Sequence, residues 1–211
     1  MSVTTFTLKL TAISDLIRLP KQYGTLLLLW PTMWSLVIAS GGRPSFRHLV
    51  VFTVGTFLMR SAGCAINDIA DRNFDGFVER TRTRPLASGR LNVREALFVF
   101  AVLGLGAFVL VLQLNRLTIV LSFVGIALAA IYPFMKRVSH LPQAFLGAAF
   151  GWGAVMAWSA ATGTVGGVAV LIFLANVFWS TAYDTIYALM DVEDDLKIGV
   201  KSTAILFGPR V

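Results

Sequence analysis

The sequence predicts an all-α, polytopic membrane protein, in which helices form a bundle around a central cavity. Its 211 residues are 56% hydrophobic and only 14% charged, and the mean hydropathy is +0.75. A soluble domain of this size must keep most of its surface wetted, so this composition excludes one. The apolar residues fall in runs of about 20, the length at which a helix crosses the hydrocarbon core. The short alternating segments of a membrane β-barrel are absent.

Six such runs follow one another along the chain, and each is expected to span the bilayer. They cover residues 22–41, 47–66, 95–114, 117–135, 142–161 and 166–188. In the fifth run, Gly147 and Gly151 form a GxxxG pair that favours close packing against another helix. Gly163 and Gly167 repeat this spacing between the last two runs, where we expect a tight turn. The single cysteine, Cys64, excludes an internal disulfide framework.

The basic residues orient these spans. If both chain ends face the same side, only Arg43, Arg47 and Arg116 of the 18 lysines and arginines fall on the opposite side. By the positive-inside rule, the cation-rich side is cytoplasmic. The net charge of +7 therefore follows the topology of the spans. It does not indicate a nucleic-acid-binding surface, for which cations would be arrayed on a soluble face.

Nine of the 11 acidic residues gather in two clusters, at the cytoplasmic ends of the second and sixth spans. On helices, the polar residues of each cluster are expected to form a stripe: Asn67, Asp71 and Asp75, with Asp68 beside them, and then Asp184, Asp191 and Asp195. Like charges at this spacing repel one another, and they are costly at membrane depth. We therefore expect a positive partner at each stripe.

Magnesium and a phosphate group fit these clusters. Carboxylate and amide oxygens are hard ligands that suit Mg²⁺ bridging to a phosphate, while the lack of histidine and cysteine in both clusters disfavours zinc. A diphosphate needs metal-bound carboxylates and cations together before it can leave. The cations beside the clusters are Arg72, Arg80, Arg82, Arg84, Lys136, Arg137, Lys197 and Lys201. Arg60 lies inside the second span, seven residues before Asn67 and therefore on the same helix face.

These two clusters also carry a family resemblance. The segment NDIADRNFD, from Asn67 to Asp75, resembles the NDxxDxxxD motif of the UbiA-type intramembrane aromatic prenyltransferases. The segment YDTIYALMDVEDDLKIGVKSTAILFG, from Tyr183 to Gly208, resembles the second aspartate motif of that family. Within the family, RTRTRPLASG and KIGVKSTAILFG most resemble the bacterial 4-hydroxybenzoate polyprenyltransferases of ubiquinone biosynthesis. The resemblance runs from about Ile13 to the end of the chain.

The resemblance implies a fold and an activity. It implies one transmembrane domain, residues 1–211, in a bacterial inner membrane, with the site facing the cytoplasm. Family members usually have about nine spans, so about three C-terminal spans are expected to be missing here. The implied activity is transfer of a polyprenyl group from polyprenyl diphosphate to the ring carbon ortho to the hydroxyl of 4-hydroxybenzoate. Pyrophosphate is released, and the implied cofactor is Mg²⁺.

Roles carried over from the resemblance fall on named positions. The expected metal ligands are Asn67, Asp71, Asp75, Asp191 and Asp195, with Asp68 and Asp184 as secondary candidates. The four aspartates of the first set and Arg137 are the expected catalytic residues. The expected diphosphate ligands are Arg137, Lys136, Arg72, Arg84 and Lys201. The acceptor carboxylate is expected to meet Arg60 or Arg18.

Two kinds of alternative remain open from the sequence. A relative in the same family would prenylate another acceptor, such as a naphthoate, homogentisate or haem. A protein of another class, a membrane transporter, would also hold acids inside a helical bundle. A transporter is expected to keep such acids near the midplane, often singly, whereas these cluster with cations at one membrane face. A non-catalytic membrane scaffold is the remaining alternative.

Overall fold

A computed structural model of the protein describes residues 3–208, with side chains from residue 7 onward, and this part of the chain is helical without a β-strand. The α-helices are α1 (Val3–Leu16), α2 (Leu26–Ala39), α3 (Phe46–Asp71), α4 (Val93–Val111), α5 (Arg116–Val138), α6 (Pro142–Thr162), α7 (Gly167–Ala188), α8 (Val192–Ile198) and α9 (Thr203–Phe207). Three 3₁₀ segments join them: Leu19–Thr25, Asp75–Phe77 and Leu189–Asp191.

Five helical segments within residues 3–208 are long and apolar enough to cross a membrane, against six expected. They are Phe46–Asp71, Val93–Val111, Arg116–Val138, Pro142–Thr162 and the run Gly167–Ile198. The expected first span, 22–41, is shorter as an α-helix because residues 22–25 belong to the 3₁₀ segment Leu19–Thr25 and α2 ends at Ala39. The remaining 14-residue α2 is about 21 Å long, less than the hydrocarbon thickness of about 30 Å.

Side-chain caps explain where α3, α4 and α5 begin. Ser45 accepts a hydrogen bond from the His48 N–H at the start of α3. Asn92 and Glu95 form a reciprocal capping box at the start of α4, and Asn115 caps α5. Each cap satisfies backbone N–H groups that have no partner within the helix. Local hydrogen bonding thus sets where α3, α4 and α5 start, whereas α6 and α7 begin without a side-chain cap.

Helix α6 lies at the centre of the bundle and contacts α2, α5 and α7. A Cβ atom on Gly147 would lie 2.9 Å from the Val177 Cα of α7, so only glycine allows this approach. The predicted GxxxG packing is thereby confirmed. The Ser35 hydroxyl donates to the Ala154 carbonyl (2.6 Å), and the Thr118 and Ser159 hydroxyls bond each other (2.7 Å). Polar side chains inside the bundle thus link α2 and α5 to α6.

Helix α1 packs against the end of the bundle that carries the first acidic cluster. Ala12 and Leu16 of α1 are buried against Ala65 and Ile69 of α3. Two ion pairs also join α1 to α4 and to the loop that precedes it. Lys9 Nζ lies 2.7 Å from a Glu95 carboxylate oxygen, and Arg90 Nη1 lies 2.6 Å from Asp15 Oδ2.

Candidate active site

A polar cavity of about 710 Å³ opens at the end of the bundle where α3, α5 and α7 end and α6 begins. Both acidic clusters line it. The carboxamide and carboxylate residues in its wall include Asn67, Asp71, Asp184, Asp191 and Asp195. Residues separated by more than 100 positions therefore face one space, which the up-and-down course of the helices makes possible.

The first cluster is only partly helical. Helix α3 ends at Asp71, and the Phe74 N–H turns back to the Asp71 carbonyl (2.7 Å). Asp75 consequently falls in a separate 3₁₀ turn, so the expected stripe extends from Asn67 to Asp71 and no further. The stripe argument was wrong at Asp75, since it assumed that the helix continues. Asp75 is buried against Arg84, outside the cavity wall.

The second cluster also crosses a break in the helix. Asp184 belongs to α7, Asp191 ends the 3₁₀ segment and Asp195 belongs to α8. The expected continuous stripe is therefore interrupted, yet all three residues line the cavity. Glu193, whose spacing would place it off the stripe of Asp184, Asp191 and Asp195, is exposed and lies outside the cavity wall.

Most of the carboxylates are neutralised by cations from elsewhere in the chain. Lys136 Nζ lies 2.5 Å from Asp71 Oδ2. Arg84 Nη1 lies 3.0 Å from Asp75 Oδ2 and 3.5 Å from Asp68 Oδ1, and Arg18 Nη2 lies 2.7 Å from that same Asp68 oxygen.

These charges shift the pKa values of the groups in the loop after α3. Burial raises the pKa of the Asp75 carboxyl, although the Arg84 charge opposes the shift. Burial alone would lower the pKa of Arg84, but the carboxylates of Asp68, Asp75 and Asp71 outweigh it, so that pKa is raised. The site is therefore a dense set of paired charges, held partly out of water.

Arg80 was not among the expected site residues, yet it joins the two clusters. Its guanidinium binds both carboxylate oxygens of Asp191 and lies 5.2 Å from the centroid of the Tyr187 ring. The hydrogen bond to Asp191 raises the pKa of Arg80 against the opposing effect of burial. Its place in the basic run five residues after Asp75 was the available indication, but nothing in the spacing distinguished it from Arg82.

The other expected cations divide into two groups. Lys136, Arg84 and Lys201 line the cavity, as do Arg60 and Arg18. Arg72 and Arg137 do not. Arg72 donates to the Ile69 carbonyl (2.9 Å), and Arg137 donates to the Ala70 carbonyl. Asp68 is also outside the cavity wall, fully buried beneath it.

The oxygen atoms suit a hard divalent cation, although they do not form a closed cage. Asp68 Oδ2 and Asp71 Oδ1 are buried without a hydrogen-bond partner, an arrangement that a cation would stabilise. Among residues 3–208, no three histidine, cysteine or acidic side chains lie close enough together to chelate one ion. The donors therefore fit Mg²⁺, which is commonly held by one or two carboxylates together with substrate phosphates.

A second, apolar cavity of about 510 Å³ adjoins the polar one, deeper along the helices. Leu28, Met59, Phe100, Phe108 and Trp152 are among its lining residues. Arg60, Tyr132 and Phe150 line both cavities and so form their shared wall. Arg60 contacts the Cys64 thiol, while its Nε–H is buried without a partner. Tyr132, absent from the expected site, is placed here by the last turns of α5.

Comparisons with known proteins agree with this geometry. Residues 28–211 match the UbiA prenyltransferase family. A 4-hydroxybenzoate octaprenyltransferase from Vibrio campbellii is 58% identical over 200 residues, which cover 95% of this chain and 70% of that protein. The apo structure of a UbiA homologue from Aeropyrum pernix K1 superposes with a TM-score of 0.78 at 30% identity, covering 89% of this chain and 70% of that one.

A UbiA homologue from Archaeoglobus fulgidus bound to GPP and Mg²⁺ has the same fold, with a TM-score of 0.71 at 21% identity over 94% of this chain and 70% of that one. The chain thus spans about 70% of the length of the relatives that it resembles. Its fold, its two aspartate motifs and its extended identity to curated relatives lead to one conclusion: this multi-pass membrane chain belongs to the UbiA prenyltransferase family.

Proposed function

We propose that the protein transfers a polyprenyl group from a polyprenyl diphosphate to the ring carbon ortho to the hydroxyl of 4-hydroxybenzoate, releasing pyrophosphate. The identity of 58% to a curated 4-hydroxybenzoate octaprenyltransferase supports this choice of substrates. The reaction forms one C–C bond, breaks the allylic C–O bond and releases the ring proton. We assign it to the step of ubiquinone biosynthesis that such relatives perform.

One observation carries the proposal. A polar cavity lined by both aspartate motifs shares a wall with an apolar cavity. A polyprenyl diphosphate has the same division, a multiply charged anionic head on a long hydrocarbon tail. The polar cavity offers cations and carboxylates for the head, and the apolar cavity offers a hydrophobic environment for the first isoprene units.

Mg²⁺ is the proposed cofactor. We assign its binding to Asn67, Asp71, Asp191 and Asp195, which line the polar cavity, with Asp75 beside them and Asp68 and Asp184 as secondary ligands. Once bound, Mg²⁺ would offset the negative charge that grows on the diphosphate as the C–O bond breaks. The two unpartnered carboxylate oxygens, Asp68 Oδ2 and Asp71 Oδ1, support the need for a cation.

The cations of the cavity wall are the proposed ligands of the leaving pyrophosphate. Lys136, Arg84 and Arg80 are paired with carboxylates at this site, and Lys201 lines the same cavity, so cationic groups already stand around a diphosphate bound there. Positive charge held in place before the reaction stabilises the departing pyrophosphate without reorganisation. Arg72 and Arg137 were expected in this role, but their guanidinium groups are directed to backbone carbonyls of α3.

Arg60 is the proposed partner of the acceptor carboxylate. It lies at the boundary of the two cavities, where the ring must meet the allylic carbon, and its Nε–H lacks a partner. Arg18 is the weaker candidate, because it already binds Asp68 (2.7 Å) and the Asp15 carbonyl (2.7 Å). A buried donor without a partner strongly favours a ligand that satisfies it.

The charge distribution supports a location for this chemistry. We propose that residues 1–211 form one domain in the bacterial inner membrane and that the polar cavity faces the cytoplasm. The helix ends that surround this cavity carry most of the basic residues, whereas Arg43, Arg47 and Arg116 lie near the opposite end.

The decisive experiment is an assay in bacterial membranes, with donor length, acceptor and Mg²⁺ varied independently and products identified by mass spectrometry. We expect a prenylated 4-hydroxybenzoate and one pyrophosphate per product, both dependent on Mg²⁺. Prenylation of a naphthoate, homogentisate or haem in its place would reassign the acceptor. Absence of pyrophosphate release with every acceptor would reject the proposal.

A further inference from the structure

Two neighbouring cations at the end of α5, Lys136 and Arg137, are directed to different places. Consecutive residues on a helix are separated by about 100°. Lys136 lines the polar cavity and binds the Asp71 carboxylate. Arg137 is absent from the cavity wall and reaches toward the backbone at the end of α3. Lys136 and Arg137 therefore contact different groups, although they are adjacent and carry the same charge. These different contacts indicate different roles.

The first contact of Arg137 is with a helix end. The last four carbonyl groups of an α-helix have no partner within the helix, and Ala70 is the next-to-last residue of α3. Arg137 Nη2 donates to the Ala70 carbonyl, while the Asp71 carbonyl accepts from the Phe74 N–H. A guanidinium at this position also interacts favourably with the negative end of the helix dipole. Arg137 thus stabilises the point at which α3 stops.

The second contact of Arg137 is aromatic. Its guanidinium carbon lies 5.0 Å from the centroid of the Phe74 ring and 5.4 Å from that of Phe134. Both distances are within the range of a cation–π interaction. Phe134 lies on the same helix as Arg137, so its ring keeps the guanidinium directed across to Phe74. Two aromatic rings therefore contact the guanidinium.

The two contacts lie inside the first aspartate motif, each next to one of its carboxylates. Ala70 immediately precedes Asp71, and Phe74 immediately precedes Asp75. Because α3 ends between these contacts, the orientation of both carboxylates depends on how the turn of residues 71–75 is held. Arg137 is a restraint on this turn that comes from a different transmembrane helix.

We propose that Arg137 is a positioning residue, which acts through the Ala70 carbonyl and the Phe74 ring to orient the carboxylates of Asp71 and Asp75, and that it does not bind the diphosphate. The inference rests on the proposed function, in which those carboxylates hold Mg²⁺. Loss of Arg137 then weakens metal binding and leaves the contacts of the donor with Lys136 and Arg84 intact.

The test compares four variants of the protein in membranes and after purification in detergent. They are Arg137→Ala, Arg137→Lys, Phe74→Leu and Lys136→Ala, with Phe77→Leu as the matched control. Phe77 is the next phenylalanine along the chain, and its side chain is 74% exposed. The measurements are Mn²⁺ affinity by electron paramagnetic resonance without substrate, and donor KM and kcat at low and at saturating Mg²⁺.

We expect Arg137→Ala and Phe74→Leu to weaken Mn²⁺ binding about tenfold, the loss typical when a residue that orients a metal ligand is removed. Saturating Mg²⁺ should restore much of kcat, with donor KM unchanged. Arg137→Lys should resemble Arg137→Ala, because lysine keeps the charge but lacks the planar group that stacks on Phe74. Lys136→Ala should raise donor KM, and added Mg²⁺ should not correct it.

Three results would overturn the inference. The first is a raised donor KM in Arg137→Ala with Mn²⁺ affinity unchanged, which is the behaviour of a diphosphate ligand. The second is full activity in Arg137→Lys, which would mean that charge alone suffices. The third is an additive effect of Phe74→Leu and Arg137→Ala in the double variant, because residues that act through one contact are not additive.

Other outcomes bear on the proposed function instead. If Asp71→Asn and Lys136→Ala both keep wild-type turnover, the proposed active site is wrong whatever Arg137 does. If Arg137→Ala does not accumulate as folded protein, Phe74→Leu still decides the inference, because that change keeps an apolar side chain and alters only the aromatic contact. Wild-type Mn²⁺ affinity in a folded Phe74→Leu would then overturn it.

Discussion

The two aspartate motifs occupy similar places in the fold but differ in how firmly they are held. In the first motif Asp68, Asp71 and Asp75 are 0%, 2% and 5% exposed and are bound by Arg18, Arg84 and Lys136. In the second motif the side chain of Asp191 is 15% exposed, and its ion-pair partner Arg80 is 40% exposed.

This difference suggests a division between a fixed half and an adjustable half. Buried ion pairs cannot be broken without leaving an uncompensated charge, whereas pairs open to solvent are worth little and exchange easily. The first motif is therefore prepared before substrate arrives. The second motif, whose Asp191 is paired with a residue of the loop after α3, is free to change partners as the donor enters.

The largest expected effect comes from neutralising one ligand in each half. Asp71→Asn and Asp191→Asn should each reduce turnover by at least about 100-fold, because an amide lacks the charge that Mg²⁺ requires. Only Asp71→Asn should also lower the thermal stability of the protein in detergent, since it leaves Lys136 without its carboxylate. Equal stability losses in both variants would contradict the comparison.

A smaller effect, on the free energy of unfolding, is expected when the cations paired with the two motifs are replaced by neutral residues. Arg84→Gln should cost about 3 kcal/mol of unfolding free energy, because Asp68 and Asp75 are buried and both lose a partner. Arg80→Gln should cost less, about 1 kcal/mol, since the Arg80 side chain is 40% exposed and its pair with Asp191 is partly screened by solvent. Denaturation in mixed micelles measures both values. The comparison fails if the order is reversed.

Ligand binding should change the two halves unequally. Addition of Mg²⁺ with an inert prenyl thiodiphosphate should slow amide hydrogen exchange strongly in residues 189–198 and only slightly in residues 67–75, because the first motif is ordered beforehand. The measurement is hydrogen exchange by mass spectrometry, with Mg²⁺ alone as the control. Stronger protection of residues 67–75 would show that the first motif is the adjustable one.

The smallest effect is expected at Glu193, which belongs to the second acidic cluster but not to the cavity wall. Glu193→Gln should leave turnover and the Mg²⁺ requirement unchanged, because the side chain points to solvent. Asp195→Asn is the variant for comparison. Asp195 lies two residues further along and lines the cavity, so this variant should lose most activity. Steady-state kinetics for the pair tests whether the cavity, and not the sum of acidic charge, determines function.

Much of this architecture follows from local sequence. Helices α3 to α7 begin within two residues of the expected spans, because long apolar runs and capping residues are local properties. Asn67 and Asp71 share a helix face as expected. Asp75 does not, since α3 ends at Asp71, next to the Ala70 carbonyl that accepts a hydrogen bond from Arg137, 67 positions further along the chain. Arg80 could not be singled out either, because its contact with Asp191 joins residues 111 positions apart.

The wall shared by the two cavities has a further consequence for where substrates and product travel. Arg60, Tyr132 and Phe150 stand where the polar cavity meets the apolar one. On the proposed function, the small acid arrives by three-dimensional diffusion and the product, once its ring is joined to a hydrocarbon chain, is confined to two dimensions. The reaction then moves the aromatic ring from water into the membrane. The enzyme of the next step reaches this product by lateral diffusion alone.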